Sequence, residues 1–325
     1  MPGFPYTPFP FNVTPASPLF ELSSVASNAS QGWVPSCSSP ECVPTANWTT
    51  SSIGAALSLH FWGKQFGTDV ALDGNIKGNM NVELFRDGTR LLWNPSGNTL
   101  SSTQGGATDQ LYLHNLTLEV VDASPGAELT VTQARVNGSS FGDDIFNADR
   151  WIIPSDDTRL SYTGFVQEAS SAKAGSLTTY ISSKAGDRVS MQFNASTLLI
   201  HGPCRPTNGL MKVSIDGRES TVNTSKPIAS NDCLLFQAWG LPASMQHELL
   251  IENVEGATLG IDRLEFFWID IYSKRSSSLN GGAKAAGIAA GVVIGVLLVL
   301  GGLAMLSKKS YKGGKIGRAP KLLCS

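Results

Sequence analysis

Alternation of hydrophobic and polar side chains is the main pattern along the first 270 residues. Leu116, Leu118 and Val120 alternate with polar neighbours, and the same period of two continues through Leu129 and Val131. Alternation of this kind, with turn residues about every eight to twelve positions, predicts antiparallel strands whose inner face packs on a second sheet. No stretch before residue 285 keeps a 3.6-residue hydrophobic period, so we expect few helices there.

The strand pattern occurs twice along the chain. Two predicted hairpins, at 81–90 and 211–220, each contain Asp-Gly, a dipeptide that suits a type I′ turn because both of its residues take φ > 0. Three further segments match at an offset of about 130 residues: LHFWGKQFGTDVALDG with MQFNASTLLIHG, HNLTLEV with HELLIEN, and GAELTVTQARV with GATLGIDRLEF. Four matches in one order predict an all-β fold of two tandem antiparallel β-sandwiches.

Residues 285–306 form a stretch of 22 residues without a charge. At about 1.5 Å per residue a helix of this length spans about 33 Å, enough for the roughly 30 Å hydrocarbon core of a bilayer. We expect one transmembrane helix rather than a buried core helix, because core helices are rarely apolar on all sides. Gly287, Gly291 and Gly295 share one face, which would let two copies approach closely and form a homodimer.

Charge is distributed unevenly around this predicted helix. Residues 1–284 carry 18 Lys and Arg against 26 Asp and Glu, whereas the tail after the helix carries six cations and no acid. The positive-inside rule places the tail in the cytosol, where it would lie against anionic lipids of the plasma membrane. Seven glycosylation sequons precede the helix and favour the same type I orientation. They begin at Asn12, Asn28, Asn47, Asn115, Asn137, Asn194 and Asn223.

These signals divide the chain into seven predicted segments. They are a disordered N-terminus (1–14), a first β-sandwich (15–138), a linker (139–154), a second β-sandwich (155–272), a juxtamembrane linker (273–284), the transmembrane helix (285–306) and a basic cytosolic tail (307–325). The first residues have neither a basic region nor an apolar run of seven, so we expect that the true signal peptide is missing. In the alternative, the helix itself would translocate the N-terminal region.

Four of the five cysteines precede the helix. The simplest pairing is Cys37 with Cys42 and Cys204 with Cys233, with Cys324 reduced in the cytosol. A zinc site is the poorer interpretation, because no Cys-x-x-Cys occurs and the four histidines are scattered.

The order of these elements resembles a family of fungal, mainly basidiomycete, single-pass membrane proteins. The resemblance is carried by DDTRLSYTG, LTTYISSKAGDRVSMQFNASTLLIHG, VSIDG and HELLIEN, followed by a glycine- and valine-rich helix with basic residues behind it. It covers residues 15–325, with the better match in the second copy. It implies a pair of galactose-binding-domain-like jelly rolls outside the cell, and most such proteins have no assigned biochemistry.

Two motifs of enzyme chemistry are absent from the sequence. It contains no His-Glu-x-x-His and no phosphate-binding Gly-x-x-x-x-Gly-Lys. His114 and His247 occupy equivalent positions in the repeat, at the start of a strand, which suits a structural role better than a general base. We expect no catalytic residues, no cofactor, no nucleic-acid partner and no enzyme activity.

Two pairs of adjacent acids are candidate calcium ligands. Asp143 and Asp144 lie in the predicted linker, and Asp156 and Asp157 open the second copy. Jelly rolls of this kind often hold a structural calcium in such a loop. The alternative interpretation is that they are ordinary solvated turn residues.

Tryptophans are candidate platforms for stacking on sugar rings. Trp33, Trp48 and Trp93 lie in polar, loop-like sequence and are the better candidates, whereas Trp239 and Trp268 adjoin apolar runs that predict core packing. We therefore expect a cell-surface protein that binds or senses an extracellular or cell-wall glycan. The alternatives are an adhesion or structural protein that contacts other proteins, and a membrane-anchored hydrolase with an unusual site.

Overall fold

Strands supply all the regular structure of the described residues in this computed structural model, which are 11–37, 46–63, 68–103, 112–138, 148–168, 178–239 and 241–269. No helix occurs among them, so the predicted all-β class is confirmed for this part of the chain.

The first copy of the repeat contains the strands up to residue 138. They are β1 (Phe11–Val13), β2 (Phe20–Leu22), β3 (Val34–Ser36), β4 (Asn47–Thr50), β5 (Ala56–Gly63), β6 (Thr68–Lys77), β7 (Met80–Arg86), β8 (Thr89–Leu91), β9 (Thr99–Thr103), β10 (Tyr112–Ala123) and β11 (Glu128–Gly138).

The second copy contains the remaining strands. They are β12 (Ala148–Pro154), β13 (Ser161–Thr163), β14 (Val166–Gln167), β15 (Tyr180–Ser182), β16 (Arg188–Phe193), β17 (Thr197–Cys204), β18 (Leu210–Ile215), β19 (Arg218–Asn223), β20 (Ser230–Trp239), β21 (His247–Asn253), β22 (Leu259–Ile261) and β23 (Arg263–Ile269).

Two antiparallel sheets form the first sandwich. One has the order β3-β4-β11-β6-β9, with β1 also paired to β11, and the other has the order β2-β5-β10-β7-β8. The alternating apolar residues of both sheets meet in one core, where Leu72 and Leu129 of the first sheet join Leu59 and Leu118 of the second. Period-two patterning therefore buries one face of each sheet, as predicted.

The second sandwich repeats this arrangement strand for strand. Its five-stranded sheet has the order β13-β16-β21-β18-β19, which matches β2-β5-β10-β7-β8. Its other strands form β12-β23-β17-β20 and a small sheet, β14-β15-β22. Together β22 and β23 occupy the place of β11. At Asp262 the second copy has a break between β22 and β23, and at the equivalent point β11 has a register shift between Val131 and Gln133. The internal repeat predicted from the sequence is thus confirmed.

Both predicted type I′ turns are present. Asp87 and Gly88 have φ of 51° and 76°, and Asp216 and Gly217 have φ of 52° and 76°. Each pair closes a two-residue hairpin loop, between β7 and β8 and between β18 and β19. Asp-Gly succeeds here because aspartate tolerates and glycine readily adopts the left-handed region.

Two predicted boundaries are wrong. Phe11–Val13, expected in a disordered N-terminus, form β1 and pair with β11, with Val13 fully buried. Residues 148–154, expected in the linker, form β12 and pair with β23. The physical reason is apolar burial, since Ile153 is inside the second core and Trp151 stacks on Phe266 with ring centroids 5.6 Å apart.

The two sandwiches pack against each other through the segment that connects β1 to β2. Ser17 is completely buried, and its hydroxyl donates a hydrogen bond to the carbonyl of Leu234 at 2.5 Å. Leu234 lies on β20, an edge strand, and packs with Leu199 and Phe267 against the core of the first sandwich. Covering an edge strand in this way removes a site of unwanted pairing. The chain forms two compact units, Met1–Asp270 and Ile271–Ser325, and every described residue belongs to the first unit.

Candidate ligand-binding cleft

A cleft of about 310 Å³ lies where the two sandwiches meet, and we name it the junction cleft. Its first wall comes from the β2 region of the first sandwich: Pro18, Glu21, Leu22 and Val25. Its second wall comes from the end of β19 and the turn that follows it: Asn223, Ser225, Lys226 and Pro227. The volume is at the lower end of the range for small-molecule sites.

Lys226 is the buried cation of the junction cleft. Only 8% of the residue is exposed, and its ammonium donates a hydrogen bond to the carbonyl oxygen of Phe20 at 2.5 Å. Burial lowers the pKa of Lys226 to about 8, although the negative charge of Glu21 acts in the opposite direction. A side chain from the second sandwich is therefore anchored on the backbone of the first.

Glu21 supplies the carboxylate of the opposite wall. Its side chain is 69% exposed, and one oxygen lies 3.2 Å from Nε2 of His60 on β5. The junction cleft thus combines a donor, an acceptor and apolar side chains, of which Val25 is 46% exposed.

Asn223 brings a predicted glycosylation site to the rim of the same cleft. Its side chain is exposed, and its Oδ1 accepts a hydrogen bond from the backbone N–H of Ser225 at 3.0 Å, within the sequon. Asn12, Asn28 and Asn194 are also exposed, whereas Asn47 and Asn115 are half-buried. The side chain of Asn137 lies outside the described residues.

His114 and His247 occupy the same structural position in the two copies. Nδ1 of His114 lies 2.8 Å from Asp87, and Nδ1 of His247 lies 2.6 Å from Asp216, each aspartate being the first of the two central residues of a type I′ turn. Each ring also packs on a phenylalanine, Phe61 or Phe193, at centroid distances of 5.4 and 5.3 Å. Both histidines are buried, so these pairs tie a hairpin turn to the neighbouring strand.

The turn aspartates hold the backbone as well as the histidine. Oδ1 of Asp216 accepts the N–H of Glu248 at 2.9 Å, and Oδ1 of Asp87 accepts the N–H of Asn115 at 2.8 Å. Burial would raise the pKa of Asp216, but the hydrogen bonds from His247 and Glu248 and the nearby positive charges outweigh it and lower that pKa.

Two of the three predicted sugar platforms are wrong. Trp33 and Trp48 are completely buried in the first core. Each indole N–H donates to a backbone carbonyl, that of Ala56 at 2.9 Å and that of Pro15 at 2.8 Å, which satisfies the polar atom inside the core. Trp93 is half-buried and packs beside the same core.

The calcium candidates are only partly within the described residues. Asp143 and Asp144 lie outside them. Asp156 is exposed, and both carboxylate oxygens of Asp157 accept hydrogen bonds from Arg159, at 2.8 and 2.7 Å, which lower the pKa of Asp157 to about 2. The described part of the chain contains no group of three or more His, Cys, Asp or Glu that could hold a metal ion. A structural calcium stays a prediction.

A second polar cluster lies on the sheet that faces the first sandwich. Arg263 forms an ion pair with Asp232 at 2.8 Å and also contacts Nδ1 of His201 at 3.1 Å. Asp262 precedes Arg263 in the chain. Burial raises the pKa of Asp262 to about 6, although the hydrogen bond from Thr179 acts in the opposite direction. The contacts of Arg263 connect β23 with β20 and β17.

The Cys204–Cys233 disulfide is confirmed, with 5.9 Å between the Cα atoms. It joins the end of β17 to β20, close to the covered edge. The pairing of Cys37 with Cys42 stays a prediction because Cys42 lies outside the described residues, as does Cys324.

The predicted membrane features also lie outside the described residues. No helix among the described residues is long and apolar enough to span a membrane. Residues 285–306, with Gly287, Gly291 and Gly295, and the basic tail lie outside them.

Neither a family model nor a curated protein sequence matches this chain. Among solved structures, it is similar to the ANXUR2 extracellular domain from Arabidopsis thaliana, with 11% identity, 83% of this chain and 90% of that chain covered, and a TM-score of 0.26. It is also similar to Paenibacillus xanthan lyase, with 13% identity, 82% of this chain covered and a TM-score of 0.27.

A two-domain esterase active on acetylated mannans is 14% identical over 36% of this chain, with a TM-score of 0.26. This chain spans only 27% of the length of the lyase and 36% of that of the esterase. With TM-scores below 0.5, these similarities say nothing about the ligand of this chain.

Sequence reasoning missed the residues of the junction cleft. Lys226 and Glu21 are single charged residues in turn-like sequence, and no motif surrounds either of them. The sequence offers one weak signal: Lys226 is the only lysine between the second predicted hairpin, 211–220, and Cys233.

Proposed function

We propose that this chain is a single-pass, type I protein of the plasma membrane whose glycosylated ectodomain binds an extracellular or cell-wall glycan in the junction cleft. The ectodomain consists of two galactose-binding-like jelly rolls in this proposal, and binding occurs without turnover. Residues 285–306 anchor it, with Gly287, Gly291 and Gly295 available for a homodimer contact.

The mixed lining of the junction cleft carries this proposal. A sugar presents hydroxyl groups that both donate and accept hydrogen bonds, together with an apolar face of C–H groups. Lys226 supplies donors, Glu21 supplies an acceptor, and Leu22 with Val25 supply apolar contact.

Features of both sandwiches support an extracellular location. A disulfide such as Cys204–Cys233 persists in oxidising compartments. Four predicted glycosylation sites have exposed asparagine side chains, as attachment of a glycan requires: Asn12, Asn28, Asn194 and Asn223.

A glycan array probed with the full chain in detergent or nanodiscs tests the proposal. Val25→Trp places a large ring in the junction cleft, whereas Val166→Trp makes the same change at another exposed valine, 62% exposed and outside the cleft. We expect binding to at least one wall glycan that is reduced about tenfold or more by Val25→Trp and unchanged by Val166→Trp, about 1.4 kcal/mol per tenfold. Binding of no glycan above background would favour an adhesion role, and equal effects of the two variants would place the site elsewhere.

A further inference from the structure

The ammonium group of Lys226 has no carboxylate partner among the described residues. Its hydrogen bond is to the backbone carbonyl of Phe20, and its other two N–H donors have no acceptor among the described residues. Several other cations of the second sandwich are paired with acids, as Arg263 is with Asp232 at 2.8 Å and Lys212 with Glu219 at 3.5 Å.

A buried cation without a counter-ion is an unusual feature, because removal of a charge from water is costly unless the charge is paired. Lys226 is 8% exposed and lines a cleft large enough for a small ligand. The nearest acid, Glu21, is 69% exposed and is itself engaged with His60 at 3.2 Å. The positive potential of Lys226 is therefore available to a ligand.

Resting on the glycan-binding function proposed above, we infer that the junction cleft is selective for a carboxylate-bearing sugar, a uronic acid, whose carboxylate pairs with Lys226. The carboxylate supplies the counter-ion and accepts hydrogen bonds from the two remaining N–H donors of the ammonium group. Glu21 accepts hydrogen bonds from ring hydroxyls on the other wall. Leu22 and Val25 contact the C–H face of the ring.

Glu21 constrains the orientation of such a ligand. A carboxylate placed on the Glu21 side would meet a like charge, whereas one placed against Lys226 meets an opposite charge. The two walls thus favour different groups of the sugar, the carboxylate at Lys226 and the hydroxyls at Glu21, and we expect one binding orientation. Glu21→Gln weakens the recognition of the sugar hydroxyls and also removes the repulsion of a ligand carboxylate on that wall. This variant therefore tests the binding orientation and not the selectivity for a carboxylate.

Three methyl glycosides that differ only at C6 test the selectivity: methyl β-glucuronide, its uncharged methyl ester and methyl β-glucoside. Their affinities for the full chain are measured by calorimetry or ligand-observed NMR. We expect the glucuronide to bind about 10- to 100-fold more tightly than the ester or the glucoside, as is typical for a charge-assisted hydrogen bond. Lys226→Met should abolish this preference and Lys226→Arg should retain most of it. Lys212→Met, a lysine on the outer face of the same sandwich, should leave it unchanged.

The dependence on pH gives a second measurement. The preference for the glucuronide should decrease as the pH rises above about 8, where Lys226 loses its proton. Glu21 and its partner His60 are the other titratable groups at the cleft, so Glu21→Gln is measured over the same range. The decrease should persist in that variant and disappear in Lys226→Met.

The possible results separate this inference from the glycan-binding function. If the glucoside, the ester and the glucuronide bind equally and Lys226→Met changes nothing, selectivity for a carboxylate is wrong and glycan binding stands. If acetate or phosphate alone competes as well as the glucuronide, the cleft recognises an anion and not a sugar acid, which overturns the inference. If no sugar binds, both are wrong.

Discussion

At the scale of single residues, equivalent side chains make the same contacts in both copies of the repeat. Asp87 and Asp216 each take a positive φ, accept a backbone N–H and contact a buried histidine. One aspartate therefore connects a turn, a strand and an aromatic contact. His114 and His247 are structural residues for this reason, as their positions in the repeat predicted.

We predict that Asp216→Asn destabilises the protein by roughly 1 kcal/mol at pH 7, a value reduced for the 42% exposure of the aspartate. The native pKa of Asp216 is lowered, so its contribution is present above the unfolded pKa near 3.8 and is lost as the pH falls through the native value. Urea unfolding at several pH values measures this. Asp156→Asn, at an exposed turn, should have no effect, and a loss in Asp216→Asn that does not diminish in acid would contradict the interpretation.

At the scale of elements, local turn chemistry determines the register of the hairpins. A two-residue loop pairs Arg86 with Thr89 and Ile215 with Arg218, and it keeps the apolar residues of β7 and β18 on the core face. A shift by one residue would move every side chain to the opposite face. The glycine of each turn is therefore a constraint on the whole sheet.

We predict that Gly217→Ala costs about 1 kcal/mol, because an alanine at this φ of 76° enters the left-handed region. No atom lies within 4 Å of the position that the new Cβ would occupy, so the cost arises from the backbone alone. Gly88→Ala, with the same φ and the same open space, is the matched variant and should cost the same within 0.5 kcal/mol, roughly the additivity limit. Thermal or urea unfolding gives both values, and full stability of either variant would refute the assignment of the turn.

At the scale of the whole molecule, the junction joins the two copies of the repeat. Ser17 and Lys226 form hydrogen bonds across it, and Leu199, Leu234 and Phe267 of the second sandwich pack with the first core. Burial of Lys226 without an acid partner among the described residues is unfavourable. Under the proposed function, stability and binding therefore oppose each other at this residue.

We predict that Lys226→Met increases stability at pH 7, on the order of 2 kcal/mol. The native pKa of about 8 lies below the ordinary 10.5, so between these values the unfolded chain holds a proton that the native protein has lost. Wild-type stability should therefore rise with pH across that window, and the rise should be absent in Lys226→Met. Unfolding of the full chain at pH 7, 8 and 9.5 checks this. A variant less stable than wild type at pH 7 would show that the hydrogen bond to Phe20 outweighs the burial of the charge.

Much of the fold follows from the sequence alone, because strands and turns depend on local patterns. Alternation of side chains determined which face of β10 and β21 is buried, Asp-Gly determined two turns, and repetition at an offset of about 130 residues determined that there are two sandwiches. The Cys204–Cys233 pairing followed from cysteine spacing and compartment. Each of these properties is encoded within one short segment or in the comparison of two.

Only the tertiary structure decided the environment of residues that meet over long separations. Polar sequence around Trp33 and Trp48 predicted exposure, but backbone carbonyls of Ala56 and Pro15 satisfy their N–H groups inside the core. Lys226 contacts Phe20, 206 residues earlier in the chain, and becomes the buried cation of a cleft only because the two sandwiches pack together. The physical reason is that burial and charge pairing depend on neighbours in space, which no local pattern specifies.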